Sequence, residues 1–420
     1  MHSTSRYFLL LLALPLLAAV LSGCGGGGGS AGASAATPAD LIYTEQEAEQ
    51  HGAWTVLIYL DADNDLESAG INNFNQMEMV GSTKNVRVIV QMDRTPGYDS
   101  TNGDWTDTRR YLITRDGNTS TMHSVRLDNP ALGEQDMGDW HTLKDFVDWG
   151  VSKFPADHYC LVIWDHGSGW TIRLNSAISQ YKYVVSDETN SSGMNVTDIP
   201  LALADVNMDV VAFDACLMQQ LEVAYELKDS AAYMVGSPAP EPSPGYDYSA
   251  ILNRMGASTT PQNLCRVIVN EYAKEYPSYQ GIIQSAVDLR QIASVADAAS
   301  GFADILRSHS SAYAYQLAAA RDNALNYSLC NGSSDRDSLD LLDYAYRCTQ
   351  AIGASADDAY NELEQAIGNA VIAEAHNSDT PNAHGLAVYM PAAVRYDVRY
   401  GMLNLAQSTL WDEWIQAQTR

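Results

Sequence analysis

Two stretches decide how this sequence folds. Residues 159–164 (YCLVIW) run into Asp165-His166-Gly167-Ser168-Gly169-Trp170, and residues 210–213 (VVAF) run into Asp214-Ala215-Cys216-Leu217-Met218. Each is an unbroken apolar run, the pattern of a strand covered on both faces. Outward from them, further short apolar runs alternate with helical patterns. Residues 54–60 (WTVLIYL) and 86–92 (VRVIVQM) predict strands, with a helix over about 66–80 between them. A long loop over 95–109 precedes a strand at 111–114, and Asp139 caps a predicted helix running to Phe154. Strands are predicted at 233–237, 281–287 and 384–390, and helices over 262–275, 293–308, 339–352, 356–375 and 403–418. A helix is also predicted directly after Cys216, from Leu217, Leu221, Val223, Ala224 and Leu227. Repeated β–α units imply an α/β protein with a mostly parallel central sheet flanked by helices on both faces.

In such sheets functional groups gather just past the carboxyl ends of the strands. His166 and Cys216 each follow a buried strand, so a base and a nucleophile are expected at one edge, the minimum for covalent acyl transfer. A thiol with a reference pKa of about 8.5 is mostly protonated at neutral pH, and an adjacent imidazole and a helix N-terminus both favour thiolate. Gly167 lets a backbone N–H approach an oxyanion closely, and the Cys216 amide offers a second donor. Asp214, two residues before Cys216, points the same way if the strand persists.

Other candidates read as structural. Cys160 lies inside a strand, and Cys265 sits on an apolar helix face with Val269. His384-Gly385 repeats the His-Gly pair but precedes its strand, which in a parallel sheet puts it at the opposite edge from Cys216, and His158 is set aside on the same ground. Asp61, Asp63 and Asp65 follow the one-three-five spacing of an EF-hand, but Leu66 and Asn72 stand where Gly and Glu are needed, so the run reads as a strand-to-helix cap. No paired Cys or His spacing supports zinc.

A strand ending in His-Gly followed by one ending in Asp-Ala-Cys resembles the clostripain family of cysteine peptidases, of the caspase-like clan. The opening WTVLIYLDADNDLE, the segment GDWHTLKDFVDWGVSKFPADHY and the late GLAVYMP are similar to family blocks, and the likeness covers roughly residues 54–415. The resemblance implies a caspase-like fold with His166 and Cys216 as the catalytic dyad. It implies that Asp214 lines a pocket selecting Arg or Lys before the scissile bond, through a charge-assisted hydrogen bond. Ser237, Glu241 and Asp247, in a proline-rich loop, are candidate co-liners, leaving Arg against Lys open. Self-cleavage between the two blocks would fall at Arg173 or Lys182. Some relatives use calcium, so Ca²⁺ is possible without an assigned site.

The first residues set the expected compartment. Arg6 precedes the apolar run 8–21, too short to span a bilayer and fitting a signal-peptide core. Leu21-Ser22-Gly23-Cys24 resembles the lipobox of bacterial lipoproteins, which implies cleavage before Cys24 and lipid on its sulfur. The expected organisation is a signal peptide over 1–23, a Gly/Ala/Ser-rich tether over 24–50, and one peptidase domain over 51–420 with helical additions at its C-terminal end. The expected location is the bacterial cell envelope, at the outer membrane or cell surface. Five cysteines follow Cys24, of which Cys330 and Cys348 are candidates to pair. Of 420 residues, 52 are acidic and 24 basic, a formal net charge of −28 that argues against nucleic acid as a partner. The expected partners are peptide or protein substrates, plus the membrane through the lipid. Two other functions fit the same scaffold: a non-proteolytic thiol hydrolase or transpeptidase, and an inactive binding lipoprotein.

Overall fold

The computed structural model describes residues 40–172, 183–329 and 337–418. Cys24, Arg173, Lys182 and Cys330, with the expectations attached to them, lie outside these residues. In chain order the strands are β1 (Gly52–Ala62), β2 (Val86–Arg94), β3 (Arg109–Leu112), β4 (Val125–Arg126), β5 (Ala156–Trp164), β6 (Val185–Asp187) and β7 (Ser192–Met194). They continue with β8 (Met208–Asp214), β9 (Ala231–Gly236), β10 (Ile283–Asp288), β11 (Ser338–Asp340), β12 (Val371–His376) and β13 (Ala387–Tyr389). Nine form one sheet in the order β12-β10-β9-β8-β5-β1-β2-β3-β4. Its centre, β9 to β2, is parallel, and the pairs outside it are antiparallel.

The absence of alternation in the central strands has a direct cause. Along β1, Leu57 and Tyr59 pack into one core with Phe146 and Val147, while Val56, Ile58 and Leu60 pack into a second with Phe74 and Leu264. Both faces are covered, so the middle of the strand, residues 56–60, is apolar at every position. Helix Trp140–Lys153 covers the first face and is capped by the Asp139 side chain, which accepts from His141 N. Helices Glu67–Glu78 and Pro261–Glu275 cover the second.

Several expectations need correction. The helix predicted over 356–375 ends at Ala370, and Val371–His376 is an edge strand pairing antiparallel with β10. The segment at 339 begins as β11 before helix Leu341–Ile352. The late strand, β13, does not enter the main sheet but pairs antiparallel with β11. The strand expected at 111–114 is displaced to Arg109–Leu112 by its register on β2. Residues 41–49, expected as tether, are folded: Leu41 bridges Thr83, and Arg87 Nε donates to Ala48 O at 3.2 Å.

One buried acid ties the C-terminal elements to the core. Glu222, on helix Leu221–Leu227, accepts Tyr389 N at 2.9 Å and Tyr400 Oη at 2.8 Å. Burial pushes its carboxyl up from 4.5 to about 7. The folded protein therefore keeps this proton to higher pH than the unfolded chain. The resulting stabilisation is complete below the unfolded value and is lost as pH rises through the folded one, a change of about 3 kcal/mol. Glu222→Gln reproduces the protonated form. We expect urea unfolding to show the variant gaining stability over wild type at pH 8 and matching it near pH 4.5.

Candidate active site

Everything at the site stands on the carboxyl ends of adjacent parallel strands. Trp164 of β5 is the register partner of Asp214 of β8, and Asp165 N donates to Asp214 O at 3.3 Å. His166 and Cys216 follow two residues later on chains that leave the sheet side by side, one strand spacing of about 4.8 Å apart at the register. Gly167 is pressed onto the Cys216 backbone: a Cβ there would lie 2.0 Å from Cys216 O and 2.6 Å from Cys216 N. Only glycine permits that approach, which holds the two loops at a fixed separation. His166, Gly167, Asp214 and Cys216 are thus brought together as the sequence predicts.

His166 is 8% exposed, and its Nε2 lies 2.6 Å from Asp65 Oδ1. The Asp165 carboxylate turns back to accept His166 N and Asn64 Nδ2, the latter at 2.8 Å, and Ser186 N donates to its other oxygen. Asn64 Oδ1 also accepts Leu66 N at 2.9 Å, closing the turn before the helix. Sequence reasoning missed Asp65 and Asp165 because the strand-edge rule was applied to His and Cys alone. Asp65 follows β1, the strand beside β5, so the same rule applied to carboxylates finds it. The capping role expected for the Asp61–Asp65 run is corrected accordingly: helix Glu67–Glu78 has no side-chain cap.

Cys216 is half-buried, whereas Cys160, Cys265 and Cys348, the other described thiols, are fully buried. Burial pushes the Cys348 thiol up to about 12 and the other two up as well. Cys216 Sγ accepts Glu241 N at 3.2 Å. The helix expected to start at Leu217 begins only at Leu221. Leu217 instead adopts a left-handed φ of 65°, with Leu217 N donating to Ala239 O and Gln219 N to Ser237 O. The chain is drawn onto the loop after β9, so the helix that follows Cys216 does not begin at the sulfur.

Asp214 is buried beneath the loop that follows β9. Its carboxyl accepts Tyr246 N at 3.1 Å and Tyr248 Oη at 2.8 Å, and it is hydrogen-bonded to the Glu241 carboxyl. Gly245, at φ 64°, lies so close that a Cβ would sit 2.4 Å from Asp214 Oδ1. Burial raises both carboxyls above the ordinary range; Asp214 raises Glu241 further, whereas hydrogen bonding to Tyr246, Tyr248 and Glu241 holds Asp214 back, so Glu241 is the partner that keeps its proton. Gln284 of β10 donates to Glu241 Oε1 at 3.4 Å and to Tyr246 Oη at 2.9 Å. The other two expected liners are otherwise engaged. Ser237 Oγ donates to Ala239 O and accepts Ala239 N, closing its own turn. Asp247 caps helix Tyr248–Leu252 by accepting Ala250 N at 2.9 Å.

His384 is excluded for a reason other than the expected one. It lies near β13, outside the main sheet, and is bonded to Asp340, with Nδ1 at 2.9 Å from Oδ1. His158 does occupy the opposite end of β5, where it meets Asp209 at 3.1 Å.

An open, caspase-like α/β sheet with a thiol and an imidazole on neighbouring strand ends, above a pair of buried carboxyls, defines the class of this protein. Residues 58–417 match the clostripain family, so the chain belongs to that family. Clostripain of Hathewaya histolytica is 30% identical over 232 residues, 50% of this chain and 43% of that protein, so the chain spans less than half of that relative's length. Two crystal structures share the fold. An inactive zymogen protease of Parabacteroides distasonis superimposes with a TM-score of 0.65 at 21% identity, covering 86% of this chain and 99% of its own. A secreted cysteine protease of Bacteroides thetaiotaomicron, bound to an irreversible peptide inhibitor, gives 0.61 at 22% identity, covering 87% and 99%.

Proposed function

We propose that this chain is an exported, lipid-anchored cysteine endopeptidase that cleaves after Arg or Lys. The observation that carries the reading is the half-buried Cys216 beside the His166–Gly167 turn, with the Asp214–Glu241 pair next to it. In this reading Cys216 Sγ attacks the scissile carbonyl. The oxyanion is held by the Gly167 and Cys216 amides, and His166, oriented by Asp65, delivers a proton to the leaving amine. Water then hydrolyses the thioester with His166 as base. Asp214 and Glu241 meet the basic side chain, whose charge replaces the proton they share.

Lipid at Cys24 supplies the membrane attachment, as the lipobox-like segment supports. Cleavage at Arg173 or Lys182, between the two catalytic blocks, would suit the enzyme's own specificity, and the zymogen of a relative with this fold favours such processing. The test is a set of matched fluorogenic peptides ending in Arg, Lys, Asp or Leu. Turnover of the Arg and Lys peptides alone is expected, and equal turnover of all four would overturn the pocket assignment. The overlap at Gly167 yields a further expectation. Gly167→Ala must separate the two loops, which we expect to lower kcat/KM by about 100-fold with an unchanged circular dichroism spectrum.

A further inference from the structure

The turn that carries His166 is docked on the chain of Cys216 at two points. The first is Gly167, against the Cys216 backbone. The second lies further along both chains, at Gln220. Gly169, at φ 61°, sits so close that a Cβ there would lie 2.4 Å from Gln220 Oε1 and 2.5 Å from its Nε2. Trp170 N donates to Gln220 Oε1 at 3.0 Å. A backbone N–H can only donate, so the carboxamide must turn its oxygen to it, and Nε2 then donates to Ser338 Oγ of β11 at 3.3 Å. Both ends of the carboxamide are committed, on a residue only 4% exposed.

The surroundings hold this contact in place. The Trp170 ring stands edge-on to Tyr389 and Tyr400, with centroids at 4.6 and 5.0 Å. Those two residues are bonded to Glu222, on the helix that follows Gln220. Ala387 N donates to Gln219 O at 3.0 Å, which fixes the backbone that carries Gln220. The helix itself has no need of this side chain. Gln220 precedes Leu221–Leu227 without making a side-chain capping bond. A buried carboxamide is costly unless it is paired, and here both of its bonds join the His166 turn to β11.

We propose that Gln220 is a positioning residue for the reaction, holding the His166 imidazole at a fixed bearing to the Cys216 sulfur. Contact at Gly167 alone sets how close the two chains lie but leaves the turn free to pivot about that point. A second contact further along the same two chains removes the pivot. Thiolate formation depends on the imidazole facing the sulfur, so a loosened turn acts on the chemistry and not on peptide binding. Gln220 acts only through Gly169 and Trp170 N. Substituting it leaves Asp65 beside the imidazole, and Asp214, Glu241 and Tyr272 around the sulfur, as they are. The inference rests on the reading of His166 and Cys216 as base and nucleophile.

The experiment pairs steady-state cleavage of an Arg-ended fluorogenic peptide with alkylation of Cys216 by iodoacetamide across pH, read by mass spectrometry on the peptide that contains it. Gln220→Met keeps the length of the side chain and removes both of its hydrogen bonds. It is expected to lower kcat by about 10- to 100-fold with KM unchanged within about threefold. The alkylation midpoint should move up toward the free-thiol value of about 8.5. Gln220→Glu offers the same acceptor and donor when burial keeps it protonated, and at about pH 6 it should restore most of kcat. If Gln220→Met does not fold, Gln220→Asn, one methylene too short to reach Trp170 N, carries the same expectations. Wild-type kcat and alkylation midpoint in the folded variant would overturn the proposal, as would a loss confined to KM or an equal loss in Gln220→Glu. The alkylation arm needs no substrate, so it reads Gln220 even in a chain that cleaves no Arg peptide. His166→Ala separates the two readings. A midpoint unmoved in His166→Ala overturns the base itself, whereas a midpoint moved there but not in Gln220→Met overturns only the positioning role.

Discussion

Cys216→Ala is expected to lower turnover of an Arg-ended fluorogenic peptide by about 10⁴-fold or more, with Tm and circular dichroism unchanged. The size follows from chemistry: without a nucleophile there is no acyl-enzyme, and only the oxyanion donors and peptide binding remain. The specificity of the test follows from the structure. Cys160, Cys265 and Cys348 are fully buried, with thiols pushed away from ionisation, so none can take over. Cys216 is half-buried, so removing its single Sγ atom leaves no large enclosed cavity. Retained peptidase activity would remove the dyad from consideration. Loss of peptidase activity with retained turnover of a small thioester would do the same for Cys216 as the nucleophile.

The second large effect concerns the pocket. Asp214→Asn should reduce kcat/KM for Arg and Lys peptides by about 10²- to 10³-fold, the cost of withdrawing one partner from a buried charge-assisted pair. Turnover of a Leu peptide should not change. Asparagine keeps an acceptor for Tyr246 N and Tyr248 Oη, so the loop after β9 has no reason to move. The pH dependence adds a second reading of the same variant. Burial raises both Asp214 and Glu241, so a proton stays on the pair as pH rises toward neutrality, and a second is bound as pH falls below it. Affinity for a cationic side chain therefore rises with pH above the ordinary carboxylate range, and KM for Arg peptides falls. In Asp214→Asn this dependence should flatten. A variant that discriminates against Leu as strongly as wild type would place the specificity elsewhere and favour a thiol hydrolase that ignores Asp214.

The chain order of strands was legible because each central strand is covered on both faces and so carries an unbroken apolar run. The strand-edge rule, with those runs, was enough to join His166 to Cys216 across fifty residues. It was not enough for short or edge elements. β12 follows directly on helix Asp357–Ala370, and its side chains are half-buried, so nothing in its composition marks the change. Nor could local pattern place β13 beside β11 rather than in the main sheet, since both placements satisfy the same three apolar residues.

Sequence by itself determined the fold class and the family, and it put His166 and Cys216 just past the ends of neighbouring buried strands, because these depend on which residues end such strands. Tertiary structure decided the rest. It chose Glu241 over Ser237 and Asp247 as Asp214's companion, delayed the helix after Cys216, and revealed Asp65 as the partner of His166. It also brought Trp170 N to the Gln220 carboxamide, 50 residues along the chain. Local pattern records what a residue needs from water and from its own backbone. Which carboxylates meet depends on how the ends of non-consecutive strands are set side by side, and only the sheet order fixes that.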